Sequence, residues 1–166
     1  MEPSFGAHNS RMRRADHLTA GAPDGDGARR AMQRALDMAG LAPDRIGYLN
    51  AHATSTSVGD AGELTAIKAI FGSVGGPAIS STRSATGHLL GAAGGLQAII
   101  TALALRDGIL PPTLNLENPD PAAEGLDLIG GRSREKAVEF ALSNGFGFGG
   151  VNASVVLGRW EPSLEI

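Results

Sequence analysis

The chain has no cysteine, which excludes a thiolate nucleophile, a thiolate metal site, disulfides and thiol redox chemistry from its own repertoire. It is poor in aromatics, at 4%, and modest in charge, at 19%. No apolar run approaches the roughly 20 residues that a membrane-crossing helix needs. A net charge of −3 leaves no basic footprint for nucleic acid or an anionic membrane. The opening segment, MEPSFGAHNSRMRRADH, has no apolar core of the secretory kind, so a cytoplasmic protein is the expectation. What is abundant is glycine, with 24 in 166 residues. Hydrophobic residues make up 42%, enough to bury a core, and the chain reads as one domain over residues 1–166.

No internal repeat or long linker interrupts it. Residues 1–23 read as irregular, with Gly21, Pro23 and Gly25 as punctuation. Over 27–40, Ala31, Met32, Ala35 and Leu36 recur at helical spacing with arginines opposite; Asp24 or Asp26 can cap the start and Gly40 the end. A short strand from Ile46 to Leu49 leads into Asn50-Ala51-His52. Residues 58–72 read as a helix capped by Asp60, with Glu63 in the capping-box position. Ala78–Ser81 reads as a buried strand before the polar turn STRSATGH. Residues 88–108 have helical length and a Gly108 stop, yet carry Gly91, Gly94 and Gly95. Each interior glycine costs about 1 kcal/mol against alanine, and close approach of another helix is the expected compensation, so this helix should be central and buried. The extended connector PPTLNLENPDP precedes three strands, 126–130, 137–143 and 151–158, the last two separated by the loop NGFGFGG. Strands alternating with helices and closing on a strand pair make an α/β layered domain.

His52 and His88 both sit just past strand ends, where α/β folds place their sites. Either ring alone reads first as a hydrogen-bonded structural histidine; two in matching contexts favour a shared site. His88 opens the glycine-rich helix, whose dipole disfavours imidazolium and leaves a neutral hydrogen-bond donor. Such a donor pair suits an oxyanion or enolate that must not simply be protonated. His52 with Asp60 or Glu63 lacks zinc-ligand spacing, and GHLLGAAG is neither a dinucleotide fingerprint nor a phosphate loop. No metal and no cofactor is therefore expected. Ser80, Ser81, Thr82 and Ser84 lack a nucleophile-elbow pattern and take turn and cap roles. In Asn144–Gly150, Phe146 and Phe148 read as pocket-lining or gating groups, with core anchoring as the alternative.

Together, NAHATSTSVGDAGE, SSTRSATGHLLGAAGG, ILPPTLNLENPDP and SNGFGFGGVNAS resemble the C-terminal half of the β-ketoacyl-[acyl-carrier-protein] synthases, above all the elongating type II condensing enzymes of bacterial fatty acid synthesis. The resemblance runs in order from about Asp16 to Trp160. It implies one half of a thiolase-like fold, a mixed five-stranded sheet layered with helices, whose nucleophile-bearing N-terminal half is absent from this chain. The implied reaction of the complete enzyme is decarboxylative Claisen condensation of an acyl thioester with malonyl-acyl carrier protein. His52 and His88 match the histidines that bind the malonyl thioester carbonyl and stabilise its enolate. Glu63 matches a glutamate that organises the site through a basic partner, and Arg83 stands where that partner is usually lysine; arginine keeps the ion pair but gives up no proton. Thr54, Thr56, Phe146, Gly147, Phe148 and Gly149 are the implied substrate-binding residues. Phe148 matches a gating phenylalanine whose swing the neighbouring glycines permit. Some members hold a structural monovalent cation near the position of Asn50 and an acidic residue of the glycine-rich helix; Gln97 takes that acidic position here. The implied partners are acyl- and malonyl-loaded acyl carrier protein, the N-terminal ketosynthase half and, in the complete enzyme, a second copy, with no nucleic acid and no membrane. A non-catalytic ketosynthase-like partner, a remnant domain and a polyketide-synthase fragment are the alternatives. Lacking cysteine, the chain alone should be inactive, and as an orphaned half it should expose apolar surface.

Overall fold

The computed structural model describes residues 8–13 and 24–160. Helix α1 (Asp26–Ala39) buries Ala28, Ala31, Met32, Ala35 and Leu36 along one stripe and turns Arg29 and Arg34 outward. Gly40 ends it in the left-handed conformation, φ 64°, with its N–H returning to the Asp37 and Leu36 carbonyls. Of the two candidate caps, Asp24 accepts the Asp26 N–H at 3.0 Å, whereas Asp26 pairs with Arg29 and Arg30, each at 2.8 Å. Strand β2 (Ile46–Asn50) follows, then α2 (Ser57–Phe71). Asp60 does not cap α2. The Thr56 carbonyl already accepts the Asp60 amide at 2.9 Å, so the helix starts four residues earlier.

Strand β3 (Ala78–Ser80) leads through the single turn α3 (Arg83–Thr86) to α4 (Ala93–Asp107). The long helix thus begins later than its composition suggests. Leu90 has φ 50°, outside the right-handed helical region, and a 3₁₀ turn fills Leu90–Ala92. His88 therefore lies in a loop ahead of α4 rather than at its first turn, and the helix dipole is not what holds it. Three two-residue strands follow, β4 (Ile109–Leu110), β5 (Asp127–Leu128) and β6 (Arg134–Glu135), then the hairpin β7 (Phe140–Gly147) and β8 (Val151–Gly158). The glycine-rich segment is mostly strand, because Asn144, Gly145, Phe146 and Gly147 pair with Ser154, Ala153, Asn152 and Val151. Only Phe148–Gly150 forms the turn, with Gly149 and Gly150 at φ 69° and 68°. Within the stretch expected to be irregular, His8–Arg13 is β1, antiparallel to β8. Its polar sequence carries no alternating apolar signal. Gly21 and Pro23 lie outside the described residues.

The main sheet runs β1-β8-β7-β2-β3-β5, so the expected mixed α/β sheet has six strands, the two-residue β5 forming one edge. β2 is parallel to β3 and β7, while β8 is antiparallel to β7 and β1. Successive residues of β2 serve opposite faces. Leu49 joins Met32, Leu36, Ile67, Leu142 and Val156 under α1 and α2; Tyr48 joins Ala78, Ala104, Leu105 and Ala141 under α4. α4 is consequently buried on one side only. A Cβ at Gly91, Gly94 or Gly95 would meet open space, and Ile99 is 59% exposed. The expectation of a helix buried all round fails, since nothing among the described residues packs on this glycine face. No helix among them is long and apolar enough to cross a membrane.

Candidate active site

Three parallel strands deliver their carboxyl ends to one edge of the sheet. β2 ends at Asn50, two residues before His52; β3 ends at Ser80, three before Arg83; and β7 carries Phe146 near its end. The backbone at His52 is fixed from α2. Glu63, buried, accepts the His52 N–H at 2.9 Å and the Ala53 N–H at 2.8 Å. Asn144 adds a third donor to the same carboxylate at 2.9 Å and is itself held by the Ser154 hydroxyl at 2.7 Å. Burial pushes the Glu63 pKa up, against the pull of these three donors. The capping-box glutamate therefore reaches across to a strand end instead of back to its own helix start.

The His52 ring is half-buried, and its Nδ1 accepts the Phe146 backbone N–H at 3.1 Å. In the neutral ring the proton must then sit on Nε2. Burial first, then the positive Arg83, then His88, hold the His52 pKa down to about 3, so the ring is neutral at ordinary pH. His88 is exposed but pinned in the same sense: Arg83 lies 2.6 Å from its Nδ1. A guanidinium has only donors, so His88 Nδ1 accepts and its ring proton also belongs on Nε2. The two rings meet edge to face, centroids 5.8 Å apart at 84°, and Phe146 lies against His52 at 5.4 Å. Two adjacent imidazoles, each with Nδ1 occupied, leave two Nε2–H groups for a negatively charged oxygen.

Arg83 does not form the expected ion pair with Glu63. Its guanidinium donates to Gln97 Oε1 at 2.7 Å as well as to His88, while Glu63 is used up by amides. Arg83 is buried, which lowers its pKa against the raising influence of Glu63. Phe146 is brought into the cluster, half-buried on the core under α1 and α2. Phe148, 72% exposed at the tip of the β7–β8 turn beside Gly147 and Gly149, makes no ring contact with either histidine. Thr54 and Thr56, two and four residues past His52, share a hydroxyl–hydroxyl bond of 3.3 Å. The serine-rich turn is satisfied internally: Ser80 with the Tyr48 hydroxyl at 2.8 Å, Ser81 with the Ala53 carbonyl at 3.1 Å and Ser84 with the Ser81 carbonyl at 2.7 Å. Asn144 is the residue that reading the sequence missed. Its signal was a polar side chain opposite Ser154 at an inward position of a strand pair. Among the described residues no group of three or more His, Asp or Glu side chains could hold a metal ion.

The mixed sheet layered with helices is the fold of thiolase-like ketosynthases. The solved β-ketoacyl synthase from Burkholderia phymatum STM815 superposes with a TM-score of 0.86, at 40% identity over 93% of this chain and 37% of that one. A ketosynthase solved with its type II polyketide acyl carrier protein also reaches 0.86, at 29% identity over 93% of this chain and 38% of that one. Residues 7–117 match the beta-ketoacyl synthase C-terminal domain, and the chain belongs to that family. It is 48% identical to 3-oxoacyl-[acyl-carrier-protein] synthase 2 of Synechocystis sp. over 89% of its own length and 35% of that relative's. The chain thus spans about a third of the curated relatives it matches.

Proposed function

We infer that this chain is the C-terminal portion of a 3-oxoacyl-[acyl-carrier-protein] synthase, supplying the malonyl half of a decarboxylative condensation in fatty acid synthesis. The observation that carries the reading is the paired tautomer constraint: Phe146 N–H on one Nδ1 and Arg83 on the other, with the rings in contact. Both Nε2–H groups donate to the malonyl thioester oxygen. As the bond between C2 and the carboxylate breaks and carbon dioxide leaves, its electron pair moves into the thioester as an enolate, and the two donors hold the oxyanion. C2 then attacks the acyl thioester carbonyl on a cysteine of the N-terminal half; the carbon–carbon bond forms, the carbon–sulfur bond breaks, and the thiolate leaves. His52, with its pKa near 3, does not quench the enolate by giving up a proton as an acid. Glu63 and Arg83 act through the backbone of His52 and the ring of His88. Thr54 and Thr56 receive the carrier's thioester arm, and Phe148, with Gly147 and Gly149 beside it, gates the acyl chain.

Identity of 48% to a 3-oxoacyl-[acyl-carrier-protein] synthase, against 36% and 29% to ketosynthases solved with a chain length factor or a polyketide carrier protein, favours fatty acid duty over the polyketide alternative. The partners are acyl carrier protein, the cysteine-bearing half and, in the complete enzyme, a second copy, in a cytoplasmic setting. The isolated chain makes no ketoacyl product, for want of a cysteine. Mixed with a cysteine-bearing half, it restores malonyl-carrier-dependent elongation, and His88→Ala lowers that rate about 10²–10³-fold, the usual loss for one oxyanion donor. Since His88 is exposed, the variant keeps its melting temperature. Full activity of His88→Ala in the reconstituted enzyme overturns the reading.

A further inference from the structure

The family resemblance implies a monovalent cation beside Asn50, and the donor set here can be tested against that ion. Such an ion needs oxygen atoms with unoccupied lone pairs. In this chain the oxygens at the place already accept hydrogen bonds. The Ala51 carbonyl accepts Gln97 Nε2–H at 2.8 Å. Asn50 Oδ1 accepts from Gln97 Nε2 at 3.4 Å, from the Thr82 hydroxyl at 3.2 Å and from the Thr82 N–H at 3.4 Å. The orientation of the Gln97 amide is settled by chemistry. Arg83 has only donors to offer, and its 2.7 Å contact obliges the Gln97 oxygen to face it, so the –NH₂ faces Ala51 and Asn50. Gln97 is 2% exposed. A buried guanidinium on one side and an amide –NH₂ on the other put positive charge and N–H donors where an ion would need oxygen atoms. The ion does not fit.

We propose that Gln97 stands in the ion's place as a positioning residue, and that the chain takes no monovalent cation there. Its nitrogen satisfies the end of β2 that leads into His52; its oxygen holds Arg83 against His88. One side chain thereby ties the two histidine segments together. The cation claim rests on this geometry alone. Only the purpose of holding His88 rests on the reading of the site as a condensing centre, and neither test below requires condensation.

The first test follows the thermal unfolding of the 166-residue chain in chloride salts of sodium, potassium, ammonium and choline at equal ionic strength. The wild-type midpoints coincide. Gln97→Glu keeps an oxygen towards Arg83 but turns the other towards the Ala51 and Asn50 oxygens, so its midpoint is several degrees lower in choline and recovers in potassium or ammonium. A wild-type midpoint raised by any of the small cations over choline overturns the proposal, as does a Gln97→Glu chain indifferent to the cation. The second test reads the histidine tautomers by ¹⁵N NMR above the range where imidazole titrates. In the wild type both rings carry the proton on Nε2. In Gln97→Met, which keeps the volume and loses both hydrogen bonds, His88 becomes a mixture of tautomers while His52, pinned by the Phe146 amide, does not change. A merely structural role would disturb both rings or neither, and an unchanged His88 overturns the positioning claim.

Discussion

The two sides of the main sheet are finished to different degrees. Under α1 and α2 the packing is closed: Met32, Leu36, Leu49, Ile67 and Leu142 are shut away, and the exposed face of α1 carries Arg29, Arg34, Asp37 and Met38, with Arg29 and Arg30 paired to Asp26. Under α4 only the sheet-facing side is closed, and the outward stripe carries Gly91, Gly95, Ile99 and Leu103. The same contrast divides the site. His52, on the closed side, is fixed by amides, a buried carboxylate and a strand; His88, on the open side, hangs from one arginine. An exposed stripe of glycines and large aliphatics is the kind of surface that partners cover, and under the proposed function the cysteine-bearing half is the one to cover it.

The sharpest way to break this contrast is to empty the closed side. Leu36 is fully buried between α1 and the sheet, so Leu36→Ala costs about 2–5 kcal/mol of unfolding free energy by denaturant titration. A loss below about 1 kcal/mol would mean that this face is loosely packed as well. The next largest effect is a pH slope. His52 keeps a folded pKa near 3 against an ordinary value of 6.5, so the unfolded chain binds the proton first as pH falls. Its contribution is complete above about pH 6.5 and is lost progressively towards pH 3, at a limiting slope of about 1.4 kcal/mol per unit. Between pH 6 and 5 the wild type therefore loses more stability than His52→Gln. Equal slopes would show that the His52 ring is solvated like that of His88, removing the difference between the two halves of the site.

Much of this was legible beforehand, and what was not has physical causes. The apolar spacing of α1, the Gly40 stop, the position of β2 and the two histidines all follow from local pattern and coincide with the structure. The failures lie where a non-local partner decides. His8–Arg13 is a strand only because β8 offers it a ladder, and Asn144–Gly147 extends β7 for the same reason. Glu63 looks like a capping residue in sequence because the competing amides, those of His52 and Ala53, come from another element. The glycines of α4 suggest the close approach of another helix, but among the described residues nothing packs on them, because they face away from the sheet.

Gly95→Ala tests that last point from the other direction. Its Cβ would enter open space, and its backbone is ordinary right-handed helix. The substitution should therefore stabilise the isolated chain by about 1 kcal/mol, the helix-propensity difference, while weakening association with a cysteine-bearing half. Ile99→Gln gives the smallest effect and the cleanest discrimination. Ile99 is 59% exposed on the same face, and glutamine is a good helix former, so unfolding free energy changes by no more than about 0.5 kcal/mol. The same substitution places an amide where an apolar partner surface must pack, and association with the other half falls at least tenfold. Loss of stability on the scale of Leu36→Ala, measured on the isolated chain by the same titration, would mean that Ile99 is already covered in solution. The open side would then be closed by a second copy of this chain rather than waiting for its other half.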